Sequence, residues 1–208
     1  RGGDKRGQEA ALRDAVARGA ASQEMRRDLA RIYVASARGE DAISLLRAGP
    51  VEDGESLEIL GVALASAGNN DEAKEILLRA WAAAPGNARI AFNLGTLAFR
   101  DGRASEARDW FTRSLQAKPD DPATLADLGL AQAALGEGAT AAESWAKALE
   151  LDPRQYGALY NLAVFDLKNG RTEQGWSRIE RFLATAPRDR FSKEMDEARR
   201  LLRARRKT

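Results

Sequence analysis

Small and apolar residues recur along this chain with a constant spacing of 34 residues. A leucine followed by glycine or alanine stands at four positions, Leu60-Gly61, Leu94-Gly95, Leu128-Gly129 and Leu162-Ala163. Two further columns keep the same register, one of glycines (Gly68, Gly102, Gly136, Gly170) and one of prolines (Pro85, Pro119, Pro153, Pro187). Because independent columns share one period, the sequence predicts a tandem array of one structural unit.

The spacing inside each repeat predicts two antiparallel helices. A small residue (Ala73, Ala107, Ala141, Gly175) is followed four positions later by a large apolar one (Leu77, Phe111, Trp145, Ile179), which is helical periodicity. Glycine can adopt positive φ at a helix end and proline cannot continue a helix, so these columns mark the turn and the end of each repeat. The predicted helices are 54–67, 71–84, 88–101, 104–117, 122–135, 138–151, 156–169 and 172–185. Predicted helix caps are Asn87, Thr172 and Asp121, the last followed by Pro122 at the first helical position.

Two less regular segments precede the repeats and one follows them. Residues 8–18 are expected to form a helix, with Ala11, Leu12, Ala15 and Val16 as its contacts. Leu29-Ala30, Tyr33, Ala42 and Leu46 indicate a degenerate repeat whose second helix is short, because Pro50 arrives early. After the last repeat, Phe191, Met195, Ala198 and Leu202 share one helical face, surrounded by Arg199, Arg200, Arg203, Arg205 and Arg206. This pattern is typical of a helix that covers the apolar end of a stack.

The residues Leu94-Gly95, Ala98, Gly102, Ala107, Phe111, Leu115 and Pro119 resemble the signature of the tetratricopeptide repeat family. The resemblance covers residues 54–187 and implies an all-α fold, a right-handed superhelical solenoid of antiparallel helix pairs with a C-terminal capping helix. The expected division is a linker and N-terminal helix at 1–22, a degenerate repeat at 23–53, repeats at 54–87, 88–121, 122–155 and 156–187, and a basic capping helix at 188–208. These segments are expected to form one continuous domain.

Composition narrows the possible functions. The chain of 208 residues has no cysteine and no histidine, which excludes thiolate and imidazole metal sites and the commonest general base near neutral pH. We therefore expect no enzyme activity, cofactor or metal, and no small-molecule substrate. No run of apolar residues approaches the roughly 20 needed to span a bilayer. The first residues read like a linker cut from a longer bacterial protein, so the compartment stays open, either cytoplasmic or, if a signal was removed, periplasmic.

The resemblance implies that the first helix of each repeat lines a concave binding face. Carried over by phase, the candidate partner-binding residues are Arg89, Phe92, Asn93, Thr96, Phe99, Ala126, Asp127, Leu130, Tyr160, Asn161, Val164, Leu167 and Lys168, with Glu58 and Val62 beginning the row. This mixture of apolar and polar residues suits an extended or helical peptide segment. The alternative for Phe92, Phe99 and Tyr160 is that a neighbouring element covers them. The four tryptophans, in second helices, are interpreted as packing or surface residues.

Two ligand types known in the family can be compared with this sequence. Asn93 and Asn161 occupy positions where some members, including O-linked N-acetylglucosamine transferase, carry asparagines that bind peptide backbone, although Ile59 and Asp127 interrupt the series. The clamp that chaperone-binding members use for a C-terminal carboxylate needs a lysine where this chain has Glu58, Phe92, Ala126 and Tyr160. Binding of a chaperone tail is therefore not expected.

The sequence leaves three functions open. The leading hypothesis is a non-catalytic scaffold that binds a protein or peptide segment of unknown identity. The second is a C-terminal appendage of a bacterial sulfatase-like enzyme, serving as an intrachain or oligomerisation module, because Gln155-Tyr156, Ala158-Leu159-Tyr160-Asn161-Leu162 and Glu180-Arg181-Phe182 resemble such arrays. The third and least favoured is a nucleic-acid adaptor, because residues 188–208 hold nine basic and four acidic residues.

Overall fold

The computed structural model describes residues 2–205, with side chains from residue 6 onward, and these residues form twelve α-helices and no β-strand. The helices are α1 (Gly2–Ala17), α2 (Gln23–Ala35), α3 (Gly39–Arg47), α4 (Gly54–Ser66), α5 (Asn70–Ala83), α6 (Ala88–Arg100), α7 (Ala104–Ala117), α8 (Pro122–Ala134), α9 (Gly138–Leu151), α10 (Tyr156–Lys168), α11 (Thr172–Thr185) and α12 (Ser192–Arg205). The predicted all-α fold of antiparallel helix pairs is confirmed. Each of the eight helices predicted between residues 54 and 185 ends within one residue of its expected bounds.

The chain divides into two compact units, Arg1–Asp101 and Gly102–Thr208. In unit 1, α2 pairs with α3 and α4 with α5, while α1 packs on α2 and α6 packs on α4 and α5. In unit 2, α8 pairs with α9 and α10 with α11, while α7 packs on α8 and α12 packs on α11. Within each unit, the first helices of successive pairs are also neighbours, α2 with α4 and α8 with α10.

The two helices of a pair approach closely because a small residue lies where they cross. A Cβ atom added at Gly61 would lie 2.6 Å from Leu77 Cγ, and one added at Gly129 would lie 2.6 Å from Trp145 Cδ1. Neither distance leaves room for a side chain, so glycine is required at both crossings. Trp145 is itself buried, and its indole Nε1 donates to the carbonyl oxygen of Ala126 at 3.2 Å. The large residue on α9 and the glycine on α8 are thus complementary parts of one contact.

The turns inside the pairs use glycine in the left-handed conformation. Gly68, Gly102, Gly136 and Gly170 have φ between 75° and 89°, as the glycine column predicts. In the degenerate first pair, Ala37 occupies the corresponding turn with φ 58°, a conformation that costs an alanine roughly 1–2 kcal/mol. The short second helix expected for this pair is α3, with nine residues.

The helix caps are partly as predicted. Asp121 caps α8 and accepts a hydrogen bond from the Thr124 amide at 3.0 Å, and Asn87 caps α6 through the Arg89 amide at 3.0 Å. Thr172 is wrong as a cap, because α11 begins at that residue and its cap position is held by Arg171 without a side-chain hydrogen bond. Arg171 separates Gly170 of the turn from the helix, so Thr172 is already the first helical residue.

The terminal helices cover the two ends of the chain differently. In α12, Met195 and Ala198 are buried against Ile179 and Phe182, and Phe191 and Leu202 pack at the edge of that cluster, as expected for a cap. Arg206, counted with the cap, lies outside the described residues. In α1, Leu12 is buried and Ala15 and Val16 are half-buried, but the predicted contact Ala11 is exposed, because it lies roughly 100° around the helix from Leu12, at the edge of the packed face. None of the helices described is long and apolar enough to cross a membrane.

The crossing at Gly129 can be tested with Gly129→Ala. Because the added methyl group would overlap the Trp145 ring, we expect the free energy of unfolding to fall by about 1–3 kcal/mol. The matched control is Gly157→Ala in α10, where a Cβ meets nothing within 4 Å and alanine favours the helix. Urea denaturation of both variants checks this expectation, and equal stability of the two would contradict the assigned crossing.

The strained turn can be tested with Ala37→Gly. Glycine adopts φ 58° without steric cost, so we expect the variant to gain about 0.5–1 kcal/mol of stability. Ala11→Gly, at an exposed position well inside α1, should instead lose about 1 kcal/mol because glycine disfavours helix interiors. Thermal unfolding by circular dichroism measures both, and a loss of stability in Ala37→Gly would refute the strain.

Candidate functional site

In unit 1, the exposed sides of α2, α4 and α6 form a groove with a volume of about 280 Å³. We call it the unit 1 groove; its lining residues are Arg31, Val34, Ala35, Glu58, Ile59, Val62, Arg89 and Asn93. Apolar side chains from α2 and α4 form its floor, and three charged residues and one amide form its polar side. A concave surface of this composition is typical of a peptide-binding site.

A buried carboxylate organises the polar side of the unit 1 groove. The Glu58 side chain is only 7% exposed, and it accepts hydrogen bonds from Arg89 Nη2 at 2.5 Å and from Asn93 Nδ2 at 3.2 Å. Because a carboxylate only accepts hydrogen bonds, the Asn93 amide must turn its nitrogen toward Glu58 and its oxygen away. The hydrogen bond from Arg89 to Glu58 raises the pKa of Arg89, which stays charged.

The arginine on the opposite side of the groove is already paired. Arg31 donates to Asp28 at 2.7 Å and also to Glu55, so both arms of its guanidinium are engaged. Arg27 binds Asp53 at 3.2 Å and Glu55 at 3.0 Å, which ties α2 to the start of α4.

Arg89, in contrast to these two arginines, keeps unpaired donors. Its side chain is 61% exposed, and its Nε and Nη1 atoms have no partner among the described residues.

In unit 2, α8, α9, α10 and α12 surround a second cavity of about 390 Å³. We call it the unit 2 groove; its lining residues are Ala133, Gly136, Gly138, Trp145, Tyr160, Asn161, Val164, Phe165, Lys168 and Glu197. Tyr160 donates from its hydroxyl to Glu197 at 2.6 Å, and its ring lies 5.3 Å from that of Phe182. Burial and the bond to Glu197 raise the pKa of Tyr160. Neither the Asn161 amide nor the Lys168 ammonium has a partner within residues 6–205.

Asp127 lies on α8, half-buried, and does not line the unit 2 groove. Burial, with a smaller contribution from the charge of Asp121, raises its pKa to about 6. Its carboxylate has no hydrogen-bond or ion-pair partner in the described part of the chain. An unpaired carboxylate in such a place is unfavourable for folding at neutral pH.

The family profile of the tetratricopeptide repeat matches residues 59–122 and 126–189. The chain belongs to the tetratricopeptide repeat family. No curated protein matches it significantly.

Solved tetratricopeptide structures resemble this chain over most of its length. MamA residues 41–end from Desulfovibrio magneticus RS-1 has a TM-score of 0.68 at 18% identity, covering 77% of this chain and 93% of that one. MamA from strain AMB-1 has a TM-score of 0.65 at 25% identity, with coverages of 76% and 95%. PilF from Pseudomonas aeruginosa has a TM-score of 0.74 at 21% identity, with coverages of 86% and 78%. These similarities establish the fold.

Family and fold together support a protein-interaction scaffold, and tetratricopeptide repeat proteins are typically non-catalytic. Among the described residues, no group of three acidic side chains is placed to hold a metal ion. Adjacent acidic residues such as Asp71 and Glu72 lie in the first turn of a helix, here α5, where the helix dipole favours negative charge.

The predicted binding residues fall into two sets. In unit 1, Arg89 and Asn93 line the groove together with Glu58 and Val62, while Phe92, Thr96 and Phe99 are half-buried on α6 outside it. In unit 2, Tyr160, Asn161, Val164 and Lys168 line the groove, while Asp127 and Leu130 are half-buried on α8 outside it. Leu167, also expected on the binding face, packs toward α11, where a Cβ at Gly175 would lie 2.6 Å from its Cγ.

Sequence reasoning missed the contributions of α2 and α12. Arg31, Val34 and Ala35 lie in the degenerate repeat, whose Leu29-Ala30 pair precedes Leu60-Gly61 by 31 residues instead of 34. If α2 is aligned with the regular repeats by its Leu29-Ala30 pair, Arg31 and Val34 fall at groove positions. Glu197 carries no comparable signal, because the capping helix does not continue the repeat.

The raised pKa of Asp127 predicts a pH-dependent stability. A carboxyl group with a folded pKa of about 6, above its unfolded value, penalises the folded state as the pH rises, so the penalty is small at pH 4 and complete only above about pH 7. Asp127→Asn should therefore be about 3 kcal/mol more stable than the wild type at pH 7.5 and within about 0.5 kcal/mol of it at pH 4. Urea titrations at both pH values measure this. The control Glu143→Gln, exposed on α9, should show no pH-dependent difference.

Proposed function

We propose that this chain is a non-catalytic interaction scaffold whose first-helix faces bind a segment of a partner protein. The observation that carries the proposal is the unit 1 groove, where an apolar floor borders polar groups of defined orientation. Val34, Ile59 and Val62 can receive an apolar side chain, while Arg89 offers free N–H donors and Asn93 a free amide oxygen. A partner segment can thus bury apolar surface and satisfy its own polar groups.

The unit 2 groove supports the same function with different side chains. Val164, Phe165 and Trp145 give it an apolar wall, and Asn161 and Lys168 are polar groups without an internal partner. A half-buried amide without a protein partner is suited to hydrogen bonding with a peptide main chain. The candidate partner-binding residues of unit 2 in this proposal are therefore Tyr160, Asn161, Val164 and Lys168.

The other two functions have less support. Part of the basic charge on α12 is already used within unit 2, since Arg199 binds Asp196 at 3.1 Å and Arg205 lies 3.6 Å from Glu180 and over the Trp176 ring. A nucleic-acid interface needs such arginines free to meet phosphates. The role of an enzyme appendage rests on the short sequence resemblance alone.

Site-specific photo-crosslinking tests the proposed function. The photoreactive residue benzoyl-phenylalanine is placed at Val62 in the unit 1 groove, at Val164 in the unit 2 groove and, as a control, at Leu78, a 39% exposed position on α5. Each variant is irradiated in a lysate of the source cells, and crosslinked peptides are read by mass spectrometry. We expect one partner segment to be captured from a groove position and not from Leu78.

The pattern of crosslinks separates the outcomes. Capture of the same proteins at Leu78 and at both groove positions would indicate unspecific contact and would contradict the proposal. Capture at Leu78 alone would place binding on the second helices. Circular dichroism of each variant confirms that the inserted residue has not unfolded the chain.

A further inference from the structure

Glu58 is a buried acid on an otherwise apolar stretch of α4. Its side chain is 7% exposed, and the residues beside it in sequence, Leu57, Ile59 and Leu60, are all buried and apolar. Removing a carboxylate from water is costly, and an apolar residue of similar volume at such a site is often as stabilising or more so. Because an apolar residue could therefore occupy this position, the charge of Glu58 points to a role other than stability.

The two partners of the Glu58–Arg89 ion pair differ in their exposure to water. Arg89 is 61% exposed, so without Glu58 its guanidinium would remain hydrated and would cost the fold little. Without Arg89, the buried Glu58 carboxylate would keep only the 3.2 Å hydrogen bond from Asn93. Loss of the exposed arginine should therefore destabilise the chain more than loss of the buried acid.

Glu58 also sets the orientation of both polar residues on α6. It holds Arg89 by Nη2 and leaves Nε and Nη1 unpaired, and it holds Asn93 by Nδ2 and leaves Oδ1 unpaired. Residues 89 and 93 are about one helical turn apart on α6, and both side chains bond to the same carboxylate, so the free donors and the free acceptor lie side by side. A neighbouring donor and acceptor suit the unpaired N–H and C=O groups of an extended main chain.

We propose that Glu58 is a positioning residue for ligand binding, which fixes Arg89 and Asn93 so that their free donors and acceptor face an extended partner segment in the unit 1 groove. This inference rests on the proposed function. It selects an extended segment over a helical one, because the main-chain groups of a helix are already paired. Unpaired main-chain groups can instead use a preorganised donor and acceptor, and holding these in place lowers the entropic cost of binding.

The stability test compares Glu58→Leu with Arg89→Met in the full chain. We expect Glu58→Leu to keep or raise the melting temperature and Arg89→Met to lower it, because only the second change leaves a buried charge without its ion-pair partner. In ¹⁵N spectra of Glu58→Leu, the Asn93 side-chain amide hydrogens should exchange with water faster than in the wild type. A lower melting temperature for Glu58→Leu than for Arg89→Met would show that Glu58 is structural and would overturn the proposal.

The binding test uses a defined probe. A displayed library of random dodecapeptides is selected on the wild-type chain, and a peptide that is lost on Val62→Arg, which fills the groove, becomes the probe. We expect Glu58→Leu to weaken its binding by about tenfold or more, equivalent to roughly 1.4 kcal/mol, with a smaller loss for Glu58→Gln, which retains one acceptor. Asp166→Asn, which changes a buried acid paired with Arg171 and Arg178 in unit 2, should leave the affinity unchanged.

The outcomes distinguish this inference from the proposed function. A groove-specific peptide whose affinity is unchanged in Glu58→Leu would refute the positioning role and leave the proposed function standing. A probe that binds as a helix, seen from its circular dichroism in the complex, would also refute it. Failure to select any peptide that depends on Val62 would contradict binding in the unit 1 groove and with it the positioning role of Glu58, whereas the proposed function would still be tested by the unit 2 groove.

Discussion

The close approach of the two helices in each pair is the constraint on which the rest of this structure depends. At Gly61 and Gly129 the facing helix contributes Leu77 and Trp145, and no side chain fits between the backbone and these groups. Tight pairing places the large apolar residues of the second helices against the first helices and buries them there. The same geometry leaves part of each first helix facing away from its partner helix, and side chains there line the two grooves.

The binding surfaces follow from this division. Residues of α2, α4 and α6 that are not needed in the core of unit 1 form a groove, and those of α10, with α12 beside it, do the same in unit 2. The groove in unit 1 contains Glu58, a buried acid that holds Arg89 and Asn93 in place. Polar groups held by such a residue can specify a partner, whereas the apolar floor mainly contributes affinity.

The sequence was sufficient for the fold because the fold depends on local signals. Glycines with positive φ, small residues at crossings and apolar residues four positions apart each act within one repeat, so their period alone located eight helices. The candidate site depended on signals of longer range. Arg31 and Val34 were missed because the first pair is out of phase with the others, and Leu167 packs toward Gly175 on α11.

Glu58 shows why the remaining contacts of the candidate site could not be predicted from the sequence. A glutamate beside Ile59 is ordinary in sequence, and only the packing of α2, α4 and α6 reveals that it is buried and bonded to both Arg89 and Asn93. Likewise, the hydrogen bond from Tyr160 to Glu197 joins residues 37 positions apart, one on the repeat helix α10 and the other on the capping helix α12. Such contacts depend on tertiary geometry and have no period.

Partner segments are proposed to bind to the first helices and not to the second. Methyl nuclear magnetic resonance of the full chain, titrated with the partner segment, measures this directly. We expect chemical-shift changes at Val34 and Val62 or at Val164, with none at Leu78 on α5 or Leu151 on α9, both exposed. Changes confined to Leu78 and Leu151 would place binding on the second helices and would contradict the proposed function.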